Sequence, residues 1–423
     1  MGNGTPISMV RGMARHGLLN SFQNRRSIRL GIDVPLVLIV CTLSVFGLLM
    51  VYSASWDYSM TILQQPPTYM FTRQLLFMAI GIIVAVLLTF FDYHHFKKLA
   101  IFVMIGTIAL LLAVLFVNEV INNAARTIFQ GSGQPSEIAK LVVVIYLSVW
   151  LFARRDQLSD VSFGLIPLGI ILGVLGGLIF LQPDLSAAAT IFILGGLLFF
   201  LAGGDMRQIA FLLILGMVVS WIVFRFHPTG SQRVSEYLIS IKDLTQAPMH
   251  LSRSLEALVK GGWFGVGIGR ADTKLTGLPV PPTDSIFAVI GEETGLLGAI
   301  AVILLYVFLM WRGLKIAQRA PDGLGRLMAA GLSMWLAIEA FINMAVIVGL
   351  VPFAGNALPF VSAGGSNLLV SLAAVGILLN ISRVSARSQE VEERTFDAVV
   401  DMRWRDRRWG VPSARRPQSA PRR

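Results

Sequence analysis

The chain has 423 residues, 55% of them hydrophobic and only 14% charged, and its mean hydropathy is +0.71. A soluble domain carries roughly 25% charged residues, so this composition excludes a soluble globular protein and points to an all-α polytopic membrane protein. The formal charge of +11 sits in short loops and tails, where it sets membrane topology; no nucleic-acid partner is expected.

Residues 1–31 carry Arg11, Arg15, Arg25, Arg26 and Arg29 but no apolar core of signal-peptide type, and read as a retained basic cytoplasmic tail. Apolar runs of spanning length then fall at 33–54, 72–91, 99–118, 136–153, 163–182, 185–203, 207–226, 284–311, 327–351 and 364–382, which predicts about ten transmembrane helices within a 32–384 domain. The single cysteine, Cys41, lies inside the first run; it excludes an intrachain disulfide and reads as a buried packing residue. Ten spans put both termini on one side. Loops 92–98 (Lys97, Lys98), 154–162 (Arg154, Arg155), 204–208 (Arg207) and 312–326 (Arg312, Lys315, Arg319, Arg326) share that side, while the opposite short loops carry little beyond Arg73 and Arg126. The positive-inside rule makes both termini cytoplasmic.

Residues 227–283 form one long extracytoplasmic loop between helices 7 and 8. Within it Leu251, Leu255, Leu258 and Val259 recur at helical spacing, with Arg253, Glu256 and Lys260 on other faces. An amphipathic helix at the membrane interface and a lid packed on the bundle both fit that pattern. The run Gly261 to Gly269 follows no strand, so it is not a dinucleotide loop. Its glycines suit a sharp turn or a close approach to a ligand. Residues 385–423 are charged, lack a core and are expected to be a disordered cytoplasmic tail, either touching anionic lipid or simply solvated.

Polar, Pro- or Gly-broken motifs concentrate on the outer side. Gln134-Pro135-Ser136-Glu137 opens the fourth helix with Lys140 one turn on, and Gln182-Pro183-Asp184 closes the fifth. Pro281-Pro282-Thr283-Asp284 opens the eighth, and Pro359 to Ser366 the tenth. Broken backbone at membrane depth is tolerated where it is buried in protein or lines a wet cavity, so these motifs predict an outward-facing cavity holding Glu137, Lys140, Asp184 and Asp284, with Arg126 and Arg233 close by. Each has a structural reading beside the functional one. Glu137 and Lys140 at i, i+3 suit mutual neutralisation, Asp184 suits an N-cap of the sixth helix, and Thr283 or Asp284 suits a cap of the eighth. Glu292 and Glu293 lie about two turns beyond Asp284, point about 100° apart and read as support. Glu339 has no evident partner. The histidines show no metal-ligand spacing, so no metal site is expected from them.

These motifs resemble the SEDS family of bacterial shape, elongation, division and sporulation proteins, the RodA- and FtsW-like membrane proteins. The matching pieces run in order: Gln134 to Glu137 with Lys140-Leu141, Gln182 to Leu185, Gly261 to Gly269, Thr283 to Glu293, and Asn343 through Pro352 to Ser366. The chain departs from the family pattern at Pro282, for a usual histidine, and at Ser285, for a usual phenylalanine. It also departs around Arg126, where only the second arginine of an Arg-Arg-Trp matches, and at Ala363 and Asn367.

The resemblance implies a peptidoglycan glycosyltransferase in the bacterial cytoplasmic membrane. It implies lipid II as substrate and a class B penicillin-binding protein and other cell-wall machinery as partners, within surrounding membrane lipid. It also implies Asp284 as the catalytic residue. Arg126, Lys140 and Arg233, and more weakly Lys260, are then candidates to hold diphosphates, with Glu137, Asp184, Ser362 and Ser366 as further substrate contacts. No cofactor is required by the sequence, although a divalent cation, Mg or Mn, has room to share the charge work. Two other classes remain open: a lipid II flippase or other transporter, and a non-catalytic scaffold of the cell-wall machinery.

Overall fold

The structure, a computed structural model, describes residues 31–117, 134–182, 184–226, 228–243 and 246–407. Among these the regular elements are helical. They are α1 (Val34–Thr61), α2 (Tyr69–Phe90), α3 (Phe96–Val117), α4 (Pro135–Ala153), α5 (Ile166–Leu181) and α6 (Leu185–Leu201). They continue with α7 (Met206–Phe226), α8 (Pro228–Lys242), α9 (Met249–Gly261), α10 (Ile286–Arg319), α11 (Gly323–Ile347) and α12 (Gly365–Arg407). A helix stands at each of the ten predicted spans. Eight of them are long and apolar enough to cross a membrane, while Leu185–Leu201 and Met206–Val218 are shorter apolar helices.

The bundle is built around α4, α11 and α12, the most enclosed of the spanning helices. α2 lies along α12, α10 along α11, and α3 and α7 flank the bundle. The outward faces are apolar, as a lipid-facing surface requires: Val45, Leu87, Phe102 and Leu213 are all exposed. Cys41 belongs to that outer face and is exposed, contrary to the buried role expected for it. An apolar environment outside the protein satisfies a thiol as well as a core does.

Side-chain contacts gather the loops into two groups. At one end Arg312 Nε donates to Asp33 Oδ1 at 2.7 Å, Ser382 Oγ donates to Gly31 O at 3.1 Å, and Ser385 Oγ donates to Arg319 O. His94 bridges Asp92 and Asp322 there, at 2.7 and 3.2 Å. At the other end the breaks at Gln134, Asp184, Asp284 and Ser362 are linked to one another, as described below.

Two elements differ from expectation. α12 continues as helix to Arg407, past the expected start of a tail at 385; residues 408–423, like 1–30, lie outside the described residues. The 227–283 segment contains not one helix but two, α8 and α9. α9 packs on α10 and α11, with Ala257 fully buried, so it is a lid seated on the bundle.

Candidate active site at the Asp284 turn

Helix α10 has 34 residues, about 51 Å at 1.5 Å per residue and well beyond a hydrocarbon thickness of about 30 Å. It does not run straight. Gly295 (φ 69°, ψ −172°) breaks it, leaving a short segment from Ile286 to Thr294 and a spanning segment from Leu296. The glycine run repairs the break. Val266 N and Gly267 N donate to Glu292 O and Glu293 O at 3.0 and 3.1 Å, and Leu296 N and Leu297 N donate to Gly262 O and Trp263 O at 2.8 and 3.3 Å. A Cβ on Gly265 would collide with Glu293 O, and one on Gly295 with Gly265 N. The glycines thus serve backbone-to-backbone approach rather than approach to a ligand.

Glu292 and Glu293 sit at this break, not two turns down a straight helix. Glu292 accepts hydrogen bonds from Asp272 N at 3.0 Å and from Thr273 N and Oγ1. Glu293 Oε1 accepts from Lys274 Nζ at 2.7 Å and from Ser53 Oγ at 2.6 Å. Both glutamates therefore hold the 270–276 loop onto α10. Lys274 is a buried cation that sequence reasoning missed, because it sits in a loop of ordinary polarity.

Asp284 lies on the turn entering the short segment. The N-cap position is Ser285, with no side-chain cap of its own, just beyond the Thr283 or Asp284 expected there. The turn is clamped from behind through three consecutive carbonyls. Pro282 O accepts from Ala363 N at 2.8 Å, Thr283 O from Ser362 Oγ at 2.7 Å, and Asp284 O from Asn343 Nδ2 at 3.0 Å. Ser362 Oγ in turn accepts from Leu358 N at 2.7 Å, and Gln74 Nε2 donates to Ser362 O at 3.0 Å. Each such bond contributes about 0.5–1.5 kcal/mol net, and together they fix the backbone while the aspartate side chain stays half-exposed. Asn343, a polar residue at membrane depth in α11, was the available signal for this clamp.

The other predicted residues fall into two kinds. Asp184 caps α6, its Oδ1 accepting from Ala187 N at 3.2 Å, while Oδ2 accepts from Gln134 Nε2 and Ser136 Oγ, both at 2.8 Å. Ser366 Oγ accepts from Gln134 N at 3.4 Å, so these side chains staple the breaks before α4, α6 and α12 together. Lys140 Nζ donates to Glu137 Oε1 at 2.8 Å and to Glu339 Oε1, and Asn367 Nδ2 donates to Glu137 Oε2 at 3.0 Å. All four are buried. Glu339 thereby gains the partner that sequence alone did not supply.

Arg233 on α8 packs on Phe353. Its guanidinium lies 5.2 Å from the Phe353 ring centre, and its Nη1 is 3.4 Å from Phe353 O. A Cβ built on the neighbouring Gly355 would lie 3.4 Å from Asp284 Oδ2 and 3.8 Å from the Phe353 ring. Arg233, Phe353 and the Asp284 carboxylate thus belong to one neighbourhood around Gly355. Lys260 pairs with Glu256 at 3.0 Å on the exposed side of α9, where hydrogen bonding to that carboxylate raises the lysine's pKa. Arg126 lies outside the described residues. Among the described residues no group of three or more His, Cys, Asp or Glu side chains is arranged to hold a metal ion.

The family described as Cell cycle protein, the FtsW, RodA and SpoVE group, matches residues 34–387. The chain belongs to this family. It is similar to a probable peptidoglycan glycosyltransferase FtsW of Geobacter sp. (strain M18), 36% identical over 360 residues, which cover 83% of this chain and 97% of the relative. Stage V sporulation protein E of Bacillus subtilis (strain 168) is 36% identical over 361 residues, 84% of this chain and 97% of that one. Among solved structures, a chain from a study titled "Structural coordination of polymerization and crosslinking by a peptidoglycan synthase complex" superposes with a TM-score of 0.68 at 25% identity, covering 84% of this chain and 98% of that one. The crystal structure of the Thermus thermophilus rod shape determining protein RodA superposes with a TM-score of 0.62 at 25% identity, covering 83% and 97%. The chain is thus an all-α, multi-pass membrane protein of the family its motifs resemble.

Proposed function

We propose that the protein is a peptidoglycan glycosyltransferase that polymerises lipid II into glycan strands at the outer face of the cytoplasmic membrane. The observation that carries this reading is the Asp284 turn: a half-exposed carboxylate on a backbone held by three hydrogen bonds at the entrance to the short α10 segment. Relatives named as glycosyltransferases support the activity. The basic loops support a cytoplasmic tail-bearing end, with the Asp284 end outside, where a membrane-anchored sugar donor and a growing strand would meet.

Asp284 acts as the general base. Its carboxylate takes the proton of the acceptor sugar's 4-hydroxyl as that oxygen attacks the donor anomeric carbon from the face opposite the diphosphate. The new C–O bond forms, the bond to the diphosphate oxygen breaks, and the leaving diphosphate departs with the electron pair, inverting the centre. A positioned base contributes roughly 10²–10⁴ in rate. The clamp keeps the carboxylate in place before substrate arrives, which is what preorganisation requires. Arg233, with Arg126 as a second candidate, is suited to hold the departing charge. Lys140 is not, since both its carboxylate partners enclose it; Glu137, Lys140 and Asp184 serve to join helices.

The partner is a class B penicillin-binding protein that crosslinks the strands, a reading supported by the polymerisation and crosslinking complex to which the fold is similar. The test is polymerisation of labelled lipid II by the full chain with that partner. Arg233→Glu should raise the lipid II concentration needed for half-maximal rate; an unchanged dependence removes the diphosphate role. Labelled lipid II crossing sealed vesicles without any glycan product would overturn the polymerase reading in favour of a flippase.

A further inference from the structure

The turn that carries Asp284 is braced on its other side by a residue from the lid. His250, near the start of α9, has its Nε2 3.0 Å from Ser285 Oγ, and Ser285 Oγ donates to Pro279 O at 2.6 Å. A serine hydroxyl has one proton. With that proton given to a carbonyl, which only accepts, Ser285 Oγ must accept from His250, which fixes the imidazole as the Nε2–H tautomer. Burial pushes the His250 pKa down to about 4, so the ring is neutral near pH 7, as this bond requires. Its other contact is the Phe353 ring, with centres 4.4 Å apart, the same ring that carries Arg233.

The brace closes a strained segment. Val280 has φ 46°, a left-handed conformation that a β-branched residue adopts only when its surroundings impose it. Pro279 O, immediately before it, is held by Ser285 Oγ, and Val280 O accepts from Thr283 N at 3.2 Å. Without the hydrogen bond from His250, Ser285 Oγ loses its tie to the lid; the carbonyls of residues 282–284 stay clamped, while Ser285 and the Pro279–Val280 end of the loop gain room for a small shift next to Asp284.

We propose that His250 is a positioning residue for the polymerase reaction, setting Asp284 through the chain His250 Nε2–H, Ser285 Oγ–H, Pro279 O. This rests on the reading of Asp284 as the base. It also couples catalysis to the seating of α9: when the lid lifts, the brace is lost.

The test is a double-mutant cycle on the full chain with its partner, following lipid II polymerisation per folded molecule. His250→Ala should lower kcat by about tenfold to a hundredfold, the cost of a small misplacement of a catalytic group, with KM for lipid II little changed. His250→Gln, whose amide Nε2 donates from nearly the same place, should recover most of that loss. On an Asp284→Asn background His250→Ala should cost nothing further, because the histidine acts only through the aspartate. A native-like kcat in His250→Ala overturns the inference, as does an equal loss in His250→Gln. A further loss of the same size on Asp284→Asn also overturns it. Should Asp284→Asn itself polymerise like the native chain, the base reading fails, and with it the role assigned here; that outcome is visible in the Asp284→Asn arm alone.

Discussion

In the Glu137–Lys140–Glu339 cluster, one cation sits between two carboxylates inside the bundle. Lys140 is only 3% exposed and Glu339 only 1%. At the Asp284 turn, the backbone carbonyls of Pro282, Thr283 and Asp284 take the hydrogen bonds and the carboxylate is left half-exposed. The first arrangement uses charge to join α4 to α11, and through Asn367 to α12. The second uses uncharged donors to hold a charge ready. Isolated polar residues in apolar helices invite one functional explanation, and these two regions show why that is too coarse. What a side chain touches, rather than its depth, separates support from chemistry.

The largest effect that would break this comparison is expected at Lys140. Lys140→Met leaves two carboxylates buried together without their cation, and removing one partner of a buried ion cluster costs about 3–5 kcal/mol. Thermal unfolding in detergent should show a large drop and much of the protein should aggregate. The triple change Lys140→Met, Glu137→Gln, Glu339→Gln should recover most of the stability. A stable Lys140→Met protein with raised KM would instead move Lys140 into the substrate site.

A smaller effect is expected from the staples and the clamp. Asp184→Ala removes a helix cap and should cost about 0.5–2 kcal/mol, read as a lowered Tm with polymerisation per folded molecule largely kept. Asn343→Ala should show the opposite balance, losing about 0.5–1.5 kcal/mol of stability but a larger share of kcat. Equal behaviour of the two variants would erase the distinction between staple and clamp.

The smallest effect is in pH. The folded-state pKa of His250, at about 4, lies below its ordinary value of about 6.5, so between those values the unfolded chain binds the extra proton. Stability from this group is fully present above about pH 6.5 and declines as pH falls toward 4. Arg233 and Glu236 line the same cavity and share its electrostatics. Tm measured across that window should fall less in His250→Gln than in the native chain; parallel curves would remove His250 as the source.

Much of the architecture was legible in the sequence because spanning helices are written as long apolar runs, and the motif breaks do meet at one end of the bundle. The kink at Gly295 was not legible. A single glycine inside an apolar run marks a break only when another chain segment supplies the missing hydrogen bonds, and that segment, 262–269, comes from a different part of the chain. Helix α8 was missed although Val234, Tyr237, Leu238 and Ile241 recur at helical spacing, because that short stripe sits in an otherwise polar sequence from Pro228 to Lys242. The option that Glu137 and Lys140 neutralise each other was legible too. The third member of that cluster, Glu339, lies 199 residues from Lys140 in sequence, and the clamp residue Gln74 lies 288 residues from its target Ser362. Pairings at such separation follow from helix packing, which one sequence does not specify.

The most direct measurement is lipid II polymerisation by Asp284→Asn with the transpeptidase partner, alongside its Tm. Asparagine keeps the shape and removes the basicity, so the rate should fall by roughly 10²–10⁴ while Tm stays close to native, because the clamp holds the backbone and not the carboxylate. Polymerisation at the native rate would contradict the assignment of Asp284 as the base.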